Sequence, residues 1–158
     1  MIDAHEKAPK IRSELNNYNG TERYHRCCIF SRMVCTDGVK RMAELCGAFW
    51  LLDLIASHQS AIAKRQVHML PQFWKLRLRD HIQNHANGSA LTRVFFPNGS
   101  QDQASAICAQ DWEHDEPTGL LIRQTIEHTS FPLPEGIDLW VEFNSEYRAG
   151  VILLPSEH

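Results

Sequence analysis

Thr36-Asp37-Gly38-Val39-Lys40 opens a run that continues as RMAELCGAFWLLDLIASH to His58, and the period of this run sets the fold. At about 100° per residue, Val39, Met42, Ala43, Cys46, Phe49, Trp50 and Leu54 gather on one wide face. Asp37, Lys40, Arg41 and Glu44 fall on the opposite, solvated face. Thr36 or Asp37 accepts hydrogen bonds from the first free backbone N–H groups, so one long helix is expected over about 36–58. Residues 59–71 either prolong it or form a second short helix, and Pro71 marks the exit.

Upstream, Pro9 to Tyr18 reads as a short helix closed by Asn19-Gly20, and residues 24–35 read as extended chain. Downstream the period changes to two. Trp74, Leu76 and Leu78 alternate with Lys75, Arg77 and Arg79. Leu91 to Phe96 reads as a second strand, which Pro97-Asn98-Gly99 turns toward a third at Ala104 to Ala109. An acidic loop (Asp111, Glu113, Asp115, Glu116, Pro117) leads to a strand at Leu120 to His128, then a stiff connector, Phe131-Pro132-Leu133-Pro134. Ile137, Leu139, Val141 and Phe143 alternate with Asp138, Trp140 and Glu142, and Val151 to Leu154 closes the set. Helix first and strands afterwards argue an α+β fold. One long central helix (about 36–58) packs on an antiparallel sheet of five to six strands built from residues 73–154, after a short N-terminal helix.

With 158 residues, 43% of them hydrophobic, the chain is long enough to bury a core without disulfides or metal. It reads as a single domain over residues 1–158, with 1–20 the part most free to move. A net charge of −3 leaves no global footprint for nucleic acid or an anionic membrane. The first residues lack the apolar stretch of a secretory signal. The longest strongly apolar run, Leu45 to Leu52, is far short of the ~18–20 residues that span a bilayer. Five cysteines form no paired framework, as expected of reduced thiols in a cytoplasm. The Asn-Gly-Ser/Thr triplets at Asn19, Asn87 and Asn98 read as turns. Charge is divided unevenly, +5 over residues 1–80 and −8 over 81–158. Mutual attraction within one domain accounts for that; an oligomer using opposite faces is the alternative.

The segments Thr36-Asp37-Gly38-Val39-Lys40, Ala43-Glu44 and Gly47-Ala48-Phe49-Trp50-Leu51-Leu52-Asp53 resemble an uncharacterised bacterial family. That family is a domain of unknown function met in bacterial, plasmid and phage genomes. The similarity resumes at Trp74-Lys75-Leu76, at Phe131-Pro132-Leu133 and at Val151-Ile152-Leu153-Leu154-Pro155-Ser156-Glu157. Residues 80–118 are longer here than the family pattern. The resemblance implies a natural C-terminus at His158 and a mobile-element connection. It implies no activity and no catalytic residue.

One residue breaks the apolar stripe. On a continuous helix Asp53 falls at roughly 160° from Asp37, between Met42 at roughly 140° and Cys46 at roughly 180°. A buried carboxylate needs a partner, a proton or solvent. Asp53 is therefore a paired structural carboxylate, or a general base or ligand-orienting acid facing a cleft, or is exposed by a bend in the helix. Its prospective catalytic partners are His58, Tyr24 and His25.

The remaining signals are weaker. Lys75, Arg77 and Arg79, with Trp140, offer a basic and aromatic face for single-stranded nucleic acid. Glu127, Asp138 and Glu142 are placed to neutralise it, which favours a solvated face of ion pairs. His81 and His85 have helical metal-ligand spacing but fall in an Asn- and Gly-containing loop. Cys27, Cys28, Cys35 and Cys46 with His25 offer soft ligands without a Cys-x2-Cys pair. No metal or other cofactor is expected, and no Gly-x-Ser-x-Gly elbow or phosphate cradle is present. The leading expectation is a cytoplasmic, non-enzymatic binding or interaction protein, a mobile-element accessory factor with a protein partner or self-association. It has no membrane attachment, and nucleic acid is not its expected partner. An acid–base enzyme centred on Asp53 is the first alternative, and nucleic-acid binding through Lys75, Arg77 and Arg79 the second.

Overall fold

The computed structural model describes residues 4–28, 31–65, 70–85, 89–97, 103–146 and 148–158. In chain order the elements are α1 (Ala4–Leu15), β1 (His25–Arg26), β2 (Val34–Cys35), α2 (Asp37–Cys46), α3 (Phe49–Ser57), α4 (Gln59–Ala63) and β3 (Gln72–Leu78). Then follow α5 (Arg79–His85), α6 (Ser89–Phe95), β4 (Ala104–Glu113), β5 (Glu116–Ile126), β6 (Ile137–Asn144) and β7 (Ala149–Leu153), with a final 3-10 turn at Pro155–Glu157. The α+β class holds. Two compact units share the chain: Met1–Pro71 with Leu139–His158, and Gln72–Asp138.

In the first unit the strand order is β1-β2-β7-β6. β1 pairs antiparallel with β2, and β7 with β6, but β2 and β7 run parallel, with Val34 opposite Val151 and Cys35 opposite Ile152. The sheet is thus mixed and recruits residues before the helices. β1 and β2 are two residues each, too short to display a period in sequence. Val39, Met42 and Ala43 of α2, Leu51, Leu52 and Ile55 of α3, and Leu139 and Ile152 are at most 2% exposed. Burying each large one contributes about 1.5–3 kcal/mol. α1 starts at Ala4 and carries Pro9 in its interior, and Arg41 of α2 pairs with its Glu14.

The start of α2 leaves no backbone donor unmet. The N–H groups of the first turn of a helix lack intrahelical partners. Asp37 N–H donates to Thr21 Oγ1 at 2.9 Å, Gly38 N–H to Glu157 Oε2 at 3.1 Å and Val39 N–H to Thr36 Oγ1 at 3.4 Å. Lys40 N–H reaches the Thr36 carbonyl at 3.0 Å. The Thr36 hydroxyl donates onward to Glu157 Oε1 at 2.5 Å, and Leu154 N–H to the same oxygen at 3.1 Å. A Cβ on Gly38 would stand 2.7 Å from that oxygen and 2.7 Å from Leu154 Cδ1, so only glycine lets the carboxylate dock.

In the second unit β3, β4 and β5 form an antiparallel array, with Trp74 opposite Cys108 and a bulge between Cys108 and Ala109. The acidic loop of the sequence is a tight hairpin turn. His114 and Asp115, at φ of 49° and 61°, have the paired positive φ of a type I′ turn. Residues 91–96 are not a strand; Leu91 to Phe95 belong to α6. A short apolar run rich in β-branched and aromatic residues fits either state in isolation. Here tertiary packing decides: Phe95 and Phe96 bury against Ile82 and Ile107, and Phe95 stacks on Trp112 at 5.8 Å between centroids. The turns read at Asn87 and Asn98 lie outside the described residues.

Candidate functional site

The single long helix of the sequence is two helices, and the break decides where Asp53 points. Gly47 adopts the left-handed conformation (φ 59°, ψ 37°) and its N–H closes α2 on the Ala43 carbonyl. Ala48 N–H bonds to the same carbonyl at 2.9 Å. Helical phase is lost there and restarts at Phe49. Leu51, Leu52, Leu54 and Ile55 become the buried face of α3. Asp53 is exposed, not buried in the stripe, and Phe49 is 44% exposed. Among the described residues no cation pairs with Asp53, so the paired structural carboxylate gives way to exposure by a bent helix.

Phe49, Asp53, Ala56 and Ser57, spaced four, three and one residues apart, form the outer stripe of α3. With Cys27, Cys28 and Ser31 they line a cleft of about 480 Å³. Apolar surface from Phe49 and Ala56 therefore adjoins one carboxylate, two thiols and two hydroxyls.

Cys28 is buried and Cys27 half-buried, with their sulfurs 3.7 Å apart. The Cys28 thiol is also 3.6 Å from the Leu52 carbonyl, and the Cys27 thiol 3.6 Å from that of Met33. The bond from Cys28 favours the Cys27 thiolate, but neighbouring Cys35 and burial outweigh it and push Cys27 up to about 12. Cys28 is raised as well, by its bond to Cys27, by burial and by the Asp53 carboxylate that it meets. Both thiols hold their protons at neutral pH.

None of the partners proposed for Asp53 lines this cleft. His25 Nε2 instead meets Asp37 Oδ1 at 2.6 Å, and Asp37 Oδ2 accepts from Glu22 and Arg23 N–H at 2.9 and 3.3 Å. The His25 bond first, then these amides, hold the Asp37 carboxyl down to about 2, from an ordinary value near 3.8. A depressed carboxyl stabilises the fold above its unfolded value and loses that contribution as pH falls through its folded one. Asp37→Asn should therefore flatten the acid loss of stability between about pH 4 and 2. Denaturant melts of both proteins across that range, followed by circular dichroism, check this. Parallel curves would assign the acid transition to other carboxylates.

The basic strand is neutralised within the second unit. Lys75 Nζ meets Asp138 Oδ2 at 3.0 Å and Asp115 Oδ1 at 3.4 Å, and Arg77 meets Asp138 Oδ1 at 2.7 Å. Burial raises the Asp138 carboxyl, but Arg77 and Lys75 overcome it and the net shift is downward. Lys75 also lies 5.2 Å from the Trp112 ring centre. Arg79 does not continue the strand: it begins α5, with its guanidinium 5.5 Å from the Phe96 ring centre. Trp140, half-buried in the first unit, meets the His158 ring edge-on at 5.1 Å, and His158 pairs with Glu142. His81 and His85 lie in α5 rather than in a loop. Among the described residues no group of three or more Cys, His, Asp or Glu is gathered to hold a metal ion.

The sequence pointed to Asp53 but not to the walls around it. Adjacent Cys27 and Cys28 read only as soft ligands, because nothing local shows that β1 leads these two residues onto α3. No described helix is long and apolar enough to cross a membrane. No curated protein and no solved structure matches the chain. The model of a family of unknown function, DUF6876, matches residues 9–158, and the chain belongs to that family.

Proposed function

We propose that the protein is a binding protein, and that the cleft along α3 takes a group with an apolar body and a positive charge. The observation that carries this reading is the exposed Asp53 carboxylate, set between Phe49 and Ala56 on the cleft wall and without a cation among the described residues. Pockets of this kind draw affinity from apolar walls and orientation from a few polar groups. An alkylammonium or guanidinium meets both demands, whether on a free small molecule or on a partner's side chain. The acid–base alternative has less support. Its second titratable group would have to be a thiol whose proton is held tightly, since among the described residues no His, Tyr or further carboxylate lines the cleft.

Phenethylamine and phenethyl alcohol, titrated into the ¹⁵N-labelled protein, make the test. The amine is expected to bind more tightly and to shift amides of α3. Asp53→Asn should weaken it about fivefold, the equivalent of about 1 kcal/mol for a solvent-exposed pair. The same substitution should alter stability by no more than about 0.5 kcal/mol, since the carboxylate is exposed. Equal binding of amine and alcohol, or an unchanged affinity in Asp53→Asn, would refute the reading.

A further inference from the structure

We propose that Cys27 and Cys28 form a dithiol clamp for a monosubstituted trivalent arsenical, R–As(OH)₂, whose organic group lies along Phe49 and Ala56. The two sulfurs stand 3.7 Å apart and both residues line the cleft, so one atom entering it reaches both. A direct disulfide is the poorer fit. Consecutive Cα atoms lie about 3.8 Å apart across a trans peptide, below the roughly 4.4–6.8 Å that disulfides span. A bridge through one larger atom removes that mismatch.

The protonation state of the pair selects among thiophilic ligands. A metal cation must expel both thiol protons into solvent, in competition with a site that holds them tightly. The arsenical instead consumes them: R–As(OH)₂ and the two Cys–SH groups give R–As(S–Cys27)(S–Cys28) and two molecules of water. Two As–O bonds and two S–H bonds break, two As–S bonds and two O–H bonds form, and arsenic stays trivalent. No oxidant is needed and no net charge enters the cleft. Cys35 and Cys108 are 1% and 0% exposed and do not line it.

This inference uses the thiols of the cleft and not the charge of Asp53, so it stands or falls separately from the amine reading. The test is phenylarsine oxide, at one equivalent, added to the reduced full-length chain. Intact mass after desalting should show one phenylarsenic adduct with loss of two hydrogens. Titration with a chromogenic disulfide should find two fewer reactive thiols in the unfolded adduct. The adduct's yield should stay flat from about pH 6 to 8, since no proton is released. Cys27→Ser and Cys28→Ser should each abolish the adduct, whereas Cys108→Ser, remote from the cleft lining, should retain its full yield. An adduct that survives in either of the first two variants overturns the proposal. So does one that peptide mapping of the wild-type protein places outside the Cys27–Cys28 peptide, a readout that holds even if the serine variants fail to fold.

Discussion

Glu157→Ala is expected to destabilise the first unit by about 3 kcal/mol, the sum of lost charged hydrogen bonds and a lost helix-dipole interaction. The carboxylate accepts from Thr36 Oγ1, Gly38 N–H and Leu154 N–H at once. A hydrogen bond to a charged group contributes about 1.5–3 kcal/mol, and three on one carboxylate are not additive. An anion at a helix N-terminus adds about 0.3–1 kcal/mol. Thr36 is 2% exposed, so water does not readily take over the lost role. Glu157→Gln, which keeps one acceptor oxygen, should lose about half as much. Urea melts with a probe in the first unit measure both; a loss below about 0.5 kcal/mol for alanine would show that the cap is replaceable. Gly38→Ala should reproduce much of the effect by pushing the carboxylate off the helix rather than removing it.

A larger loss, at least about 4 kcal/mol, is expected for Gly136→Ala in the second unit. Gly136 has φ of +77°, a conformation costly for any residue with a Cβ, and its N–H closes a turn on the Leu133 carbonyl at 2.9 Å. A Cβ there would stand 1.8 Å from the Leu76 carbonyl oxygen, which belongs to β3 backbone and has no rotamer to escape into. Either the turn or β3 must move. Two residues later Asp138 holds Lys75 and Arg77, so any movement also separates that charge cluster. Breaking a partly buried ion pair by displacing one member leaves the others desolvated. The soluble fraction on expression and the unfolding free energy from urea melts measure this; a stability within about 1 kcal/mol of wild type would mean that β3 yields freely.

How much of this was legible in the sequence depended on the range of the interaction concerned. Period two showed β3 and β6 because their alternation is a property of one segment, and β7 showed as a short apolar run. Thr36 as the cap of α2 was also local. Gly47 carried the signal that would have ended α2, since glycine just past a helical run favours the left-handed cap. Treating the apolar residues beyond it as the same stripe put Asp53 on the wrong face. Residues 91–96 read as a strand because Val94, Phe95 and Phe96 favour strands, and only their packing with Ile82 and Ile107 reverses that. Glu157 lies in a segment that resembles the family, yet its contact with Thr36 and Gly38 is set by the parallel pairing of β2 with β7. No pattern within either segment encodes that pairing.

The partner of the α2 N-terminus has a consequence for the order of events on the ribosome. Glu157 closes on Gly38 and Thr36 from 119 and 121 positions away, and β7 supplies the neighbour of β2. A nascent chain that has emerged only through Asp138 contains every residue of the second unit, while the first still lacks β7 and its helix cap. At roughly 5–20 residues per second, the earlier-made helices wait several seconds for these pieces. During that interval the apolar face of α2 and the edge of β2 are the surfaces most in need of protection, and a chaperone that engages this protein during synthesis should do so there.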